Sequence, residues 1–141
     1  MRLTSFTNFG LRALMGMASE PARAFSTADL GGEFALSRHH LSKIMAALAQ
    51  ACIVATRRDG DGGAVLAKPA DQIRLGDIVR LLETGQPLVE CFQASGGASI
   101  IMGCCRLKAR QRSAEAAFLA DLDRSTLAVV ALPPMERAVS A

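Results

Sequence analysis

The 141-residue chain is half apolar and about one-fifth charged, the composition of one folded domain able to bury a real core. It has no Trp or Tyr and only six Phe, which excludes a base-stacking platform for single-stranded nucleic acid. The net charge of +3 is unevenly placed: residues 1–70 carry eight Lys and Arg against five acids, and residues 71–141 carry eight against eight, so the surplus lies in the N-terminal half.

The amphipathic pattern of residues 3–19 (Phe6, Leu11, Leu14, Met15 and Ala18 at helical spacing) predicts a first helix, ended by Glu20-Pro21. This opening segment superficially resembles a secretory leader. However, Thr4, Ser5, Thr7, Asn8 and Arg12 break it before any apolar run reaches about seven residues. Ser26 is placed to cap a short second helix over 27–34, weakened by Gly31-Gly32, and Ser37 to cap a third running to about residue 51.

An extended stretch over 53–58, a glycine-rich turn over 59–63 and a second extended stretch over 64–67 predict a β-hairpin. Residues 73–83 read as a fourth helix with Ile73, Ile78, Val79 and Leu82 inward. Gly85, Pro87, Gly96, Gly97 and Gly103 then mark an irregular loop. A long helix follows over 106–123, and a short one after Ser125 is stopped by Pro133-Pro134. No stretch reaches the ~18 apolar residues of a membrane span. The expected fold is mainly α with a small β-hairpin, in a cytoplasmic protein.

Three helices followed by a glycine-tipped hairpin is the element order of a winged helix-turn-helix. On the third helix Leu41, Ile44, Met45 and Leu48 fall within about 60° of one another, while His39, Lys43, Ala46 and Gln50 fall on the opposite side. The second stripe suits a helix in the major groove of double-stranded DNA, with Arg38 in its first turn. It is also the pattern of an ordinary solvated face. Arg57 and Arg58 stand at the base of the hairpin, where a wing would contact DNA. The adjacent His39 and His40 point about 100° apart and have no third ligand nearby, which argues against a metal site there. Both histidines are remote in sequence from Cys91, Cys104 and Cys105, so no Cys–His–acid constellation suggests an enzyme.

In a reducing cytoplasm Cys52, Cys91, Cys104 and Cys105 form no disulfide framework. Cys52 follows the recognition helix and leads into an apolar strand, so it is expected in the core. Cys91 and the Cys104-Cys105 pair bracket the irregular loop, and thiolates so placed suit an iron–sulfur cluster or zinc. Arg106, Lys108 and Arg110 just beyond favour the thiolate form. Three readings stay open: a cluster sensor, a cluster-free sensor in which Cys91 pairs with Cys104 or Cys105 on oxidation, and cysteines with no sensing role. In the long helix Leu107, Ala114, Phe118 and Leu122, flanked by Ala117 and Leu119, form a stripe for a homodimer seam or for packing within the chain.

Residues 3–14 (LTSFTNFGLRAL), 37–44 (SRHHLSKI), Gly62-Gly63, 66–69 (LAKP), 73–79 (IRLGDIV), 90–92 (ECF) and 105–108 (CRLK) together resemble the bacterial iron–sulfur winged-helix repressors. That family includes the nitric-oxide-sensing repressor NsrR and the cluster-assembly regulator IscR. The likeness spans roughly residues 2–127, and the opening and the 105–108 segments are most similar to NsrR.

The resemblance implies a homodimeric repressor reading a palindromic DNA operator, with residues 1–84 as the DNA-binding region, 85–105 as the sensor loop and 106–141 as dimerization helix and tail. It implies an iron–sulfur cluster, 2Fe–2S before the alternative 4Fe–4S, with Cys91 and Cys105 matching the outer two of three loop ligands; the sequence itself offers Cys104, next to Cys105, as an imperfect replacement metal ligand for the third. Ser99 stands about where the middle cysteine is expected, and Asn8 where nitric-oxide sensors of this type often have Asp.

Overall fold

The computed structural model describes residues 2–58, 62–85 and 106–133. Helix α1 (Ser5–Ser19) begins at Thr4, whose hydroxyl accepts the Thr7 N–H at 3.2 Å. Its inner face buries Thr7, Gly10, Ala13, Leu14, Gly16 and Met17. Gly16 is required by close approach, since a methyl group there would collide with the Phe34 ring.

Helix α2 (Thr27–Glu33) is short and contains two glycines, so its ends carry its stability. Ser26 and Asp29 close a capping box, each side chain accepting the other residue's backbone N–H (3.0 and 2.9 Å). The chain then reverses through Ala35 in the left-handed region (φ 52°), and Leu36 drops into the core with its N–H on the Gly31 carbonyl at 3.1 Å. That tight reversal launches α3 (Arg38–Gln50), which buries Leu41, Ile44 and Leu48 completely.

The end of α3 leads straight into the hairpin. The Ile53 N–H donates to the Leu48 carbonyl at 2.9 Å, and Cys52 takes the left-handed conformation (φ 57°) that turns the chain. Strands β1 (Val54–Thr56) and β2 (Ala64–Leu66) pair antiparallel, Val54 opposite Leu66 and Thr56 opposite Ala64. Phe25 adds a third rung by exchanging both backbone hydrogen bonds with Ala64 (2.9 and 2.8 Å). Gly62 and Gly63 (φ 74° and 117°) supply the backbone that brings the Gly63 carbonyl to the Arg57 N–H at 2.8 Å.

A short 3₁₀ turn (Ala70–Gln72) precedes α4 (Leu75–Leu82). Ile73 is buried as expected, but in extended backbone and not in the helix. Its carbonyl accepts the Leu127 N–H at 2.8 Å, and the Leu75 N–H donates to the Ser125 carbonyl at 3.0 Å. Residues 125–127 thus form a bridge with Arg74 that postpones the helix by two residues.

Helix α5 (Arg106–Leu122) has no buried residue. Its end packs on α4, and a 3₁₀ turn (Leu127–Val130) returns Leu127 to the core. Leu14, Met17, Phe25, Leu30, Leu41, Ile44, Leu48, Ile78 and Leu127 form that one core, drawn from both ends of the chain. No helix among the described residues is long and apolar enough to cross a membrane.

Candidate nucleic-acid interface

Helix α3 is amphipathic by burial as well as by pattern. Opposite Leu41, Ile44 and Leu48 the side chains of Arg38, His39, Lys43, Ala46 and Gln50 are all exposed. Gly31 lets α2 lie close beneath the start of α3: a Cβ there would stand 3.2 Å from the Leu36 carbonyl and 3.7 Å from Leu41 Cδ1. The polar face is therefore held outward by packing on both sides of the reversal.

The two helix starts differ in charge. Asp29 occupies the first turn of α2 and satisfies its capping box. The first turn of α3 has no acid, and the Ser37 side chain makes no capping hydrogen bond, contrary to the cap expected from sequence. The free N–H groups there, beside Arg38, favour an anion such as a DNA phosphate. The signal was legible as the lack of any acid between Leu36 and Gln50.

Arg38, Lys43, Arg57 and Arg58 are exposed and have no acidic partner among the described residues. The tip of the hairpin, with Asp59 and Asp61, lies outside those residues. Arg23 has a different role. It lies 4.2 Å over the Phe25 ring and donates to both Glu33 oxygens, so its guanidinium stays charged still more firmly than usual, chiefly through that hydrogen-bonded carboxylate. It braces α2 against the hairpin.

His40 is partly buried, and its ring meets Phe9 of α1 at 5.5 Å between centroids. Its Nδ1 is buried with no hydrogen-bond partner, so the contact with α1 is one of packing. Neither histidine joins a metal-binding group, and no cluster of three His, Cys, Asp or Glu side chains able to hold a metal occurs among the described residues.

Cys52 corrects the sequence reading. It is exposed and not in the core, because the chain turns on it while Ile53 takes the inward place. Cys91, Cys104, Cys105 and Ser99 lie outside the described residues. Asn8 is exposed on α1, its amide reaching the Leu3 carbonyl at 3.5 Å. In the stripe on α5, Leu107 is 63% exposed and Ala114 and Ala117 are exposed, whereas Phe118, Leu119 and Leu122 are half-buried. Local pattern did not reveal the contact of Thr4 with Glu83, 79 residues away: the Thr4 N–H and hydroxyl both donate to Glu83 Oε1, at 2.8 and 3.0 Å.

A tight helix pair whose second member has a dry face and a cationic, donor-rich face, followed by a hairpin, defines a winged helix-turn-helix DNA-binding protein. Residues 3–132 match the Rrf2 family, described as iron-dependent transcriptional regulators, and the chain belongs to that family. It is accordingly a DNA-binding transcription regulator and not an enzyme.

Solved structures agree on the fold. The oxidized form of CymR from Staphylococcus aureus is 25% identical with a TM-score of 0.70, covering 93% of this chain and 96% of that one. CymR of B. subtilis, the global cysteine regulator, is 23% identical with a TM-score of 0.68 over 93% and 96%. IscR of T. potens is 23% identical with a TM-score of 0.69 over 91% and 84%.

Proposed function

We propose that this chain is a homodimeric repressor that reads a palindromic operator with α3 and the hairpin, and senses nitric oxide or redox state through thiolates of the 85–105 segment. The observation that carries the DNA-reading part is the exposed face of Arg38, His39, Lys43 and Gln50 behind a wholly buried Leu41, Ile44 and Leu48. Arg57 and Arg58 extend the contact along the backbone from the base of the wing. A palindrome follows from two copies, with α5 as the seam: a 17-residue helix with no buried side chain gains most of its stability from packing that a partner would provide.

The sensing part rests on donor chemistry. Cys91, Cys104 and Cys105 are soft thiolate ligands of the kind that hold iron–sulfur clusters, and the family is described as iron-dependent. These three fit a cluster one ligand short of four. Asn8 offers an amide where a carboxylate would bind iron better, so the fourth position would fall to an outside ligand, and Cys104 would serve only in an imperfect arrangement beside Cys105. A 2Fe–2S cluster would supply reactivity toward nitric oxide and oxidants. The protein's part is to convert a changed constraint on Cys91 and Cys105 into a changed separation of two recognition helices. A shift between two states of the dimer needs only a few kcal/mol.

A second reading has its own observation. The adjacent Cys104-Cys105 pair, with Cys91 near the other end of the 85–105 segment, also suits a thiol switch without a cluster, and CymR has been crystallized in an oxidized form. Binding to an operator-bearing duplex with and without nitric oxide, beside iron and sulfide analysis, separates the two. The cluster reading requires iron and release by nitric oxide, and the thiol reading requires release by a disulfide-forming oxidant alone.

A further inference from the structure

Three contacts at the start of α1 lie between the exit of α4 and α3: one reaches α4, one reaches both helices and one reaches α3. At the first, Glu83 accepts both the N–H and the hydroxyl of Thr4 through one oxygen, at 2.8 and 3.0 Å. Thr4 also caps α1 by accepting the Thr7 N–H at 3.2 Å, and Thr7 is fully buried. Glu83 is therefore part of the cap of a helix remote from it in sequence. Only Thr84 and Gly85, the latter at φ 81°, separate it from the segment that follows.

The second contact is Gly10. A methyl group there would collide with Leu82 Cδ1 and stand 3.3 Å from Ile44 Cγ2, so the backbone of α1 lies directly on the last turn of α4 and on the core face of α3. Gly10 contributes no side chain of its own, so the Leu82 and Ile44 side chains pack directly on the α1 backbone. The third is the Phe9 ring against His40, 5.5 Å between centroids. Since His40 Nδ1 has no hydrogen-bond partner, the ring is placed by that packing. His39, its neighbour, is exposed on the groove face.

We propose that α1 is the transmission element of this regulator, carrying a change at the end of α4 to the start of α3 through the Glu83–Thr4 latch, Gly10 and the Phe9–His40 contact. The proposal rests on the sensor reading only for the origin of the change; the link itself is a property of the winged helix-turn-helix. Release of Glu83 frees the Thr4 N–H and hydroxyl that hold the cap residue in place, the first turn of α1 loosens, and Phe9 and His40 shift together because packed contacts switch between discrete arrangements and do not stretch.

The test uses the full chain as wild type, Glu83→Ala and Glu83→Gln, the last keeping an acceptor oxygen. Deuterium uptake is followed in α1, α2, α3 and the hairpin, and operator affinity is measured before and after exposure to nitric oxide. Glu83→Ala is expected to speed exchange about tenfold or more in the first turns of both α1 and α3, leaving α2 and the hairpin nearly unchanged. It is expected to shrink the nitric-oxide response of operator binding at least about threefold, with Glu83→Gln showing the same changes in weaker form.

Faster exchange confined to α1, or a full response in Glu83→Ala, overturns the proposal. If Glu83→Ala does not fold, Glu83→Gln decides by the same exchange pattern. A wild type that ignores nitric oxide overturns the sensor reading instead, and the exchange pattern then judges the link by itself.

Discussion

Arg80 and Asp123 form a two-pronged ion pair, Nη1 to Oδ1 at 2.7 Å and Nη2 to Oδ2 at 2.6 Å, that fastens α4 to the end of α5. The hydrogen-bonded guanidinium is the main reason the Asp123 carboxyl is held below its ordinary range. Gly76 makes room for the pair, since a methyl group there would collide with the Asp123 carboxylate.

A pH dependence follows from that lowered carboxyl. Its folded-state pKa lies below the unfolded one, so the stabilisation is fully present above the unfolded value and is lost as pH falls through the folded value. Asp123→Asn should lower the melting midpoint at neutral pH and progressively less in acid, converging with wild type at the bottom of the range. Thermal melts across pH check this; an equal loss at every pH would show that the pair contributes nothing through ionisation.

The two faces of α3 should separate fold from function. Lys43→Ala removes an exposed cation with no acidic partner among the described residues, so it should leave stability nearly unchanged. It should weaken operator binding by about tenfold and lower the salt slope by about one. Affinity titrations at several salt concentrations measure both, and unaltered binding would remove Lys43 from the interface.

Leu41→Ala, two residues earlier, should do the opposite. Leu41 is fully buried between α2 and α3, and truncation should cost about 2–5 kcal/mol of folding stability. Denaturant unfolding reads that loss directly.

On α5, Leu107 is 63% exposed in the single chain, so replacing it should not disturb the monomer fold. Leu107→Asp places a charge in the proposed seam and should shift sedimentation toward the monomer at low micromolar concentration. Operator affinity should fall with it, since both half-sites must be filled together. A variant that remains dimeric would move the seam away from this position.

What was legible in the sequence is what short-range periodicity encodes. The apolar spacing of Leu41, Ile44 and Leu48 located the buried and exposed faces of α3, and Ser26 formed the cap that the sequence suggested for α2. What was not legible depends on distant partners or on backbone conformation. Ile73 left its helix because residues 125–127 claim its backbone. Cys52 looked like a core residue by type, but its left-handed φ sends Ile53 inward in its place. The Thr4–Glu83 latch joins residues 79 apart, beyond the reach of any local pattern.

The central claim, that this winged-helix regulator releases DNA through chemistry at the cysteines of its 85–105 segment, is tested most directly on protein purified without oxygen. Iron, sulfide, the visible spectrum and operator affinity should be measured before and after nitric oxide, in wild type and in a Cys91→Ser, Cys105→Ser double variant. The account predicts coloured, iron-containing wild type that binds its operator tightly and loses affinity on treatment, and a variant that is colourless and unresponsive. Colourless, iron-free wild type whose operator binding is undiminished and unaffected by nitric oxide would contradict it.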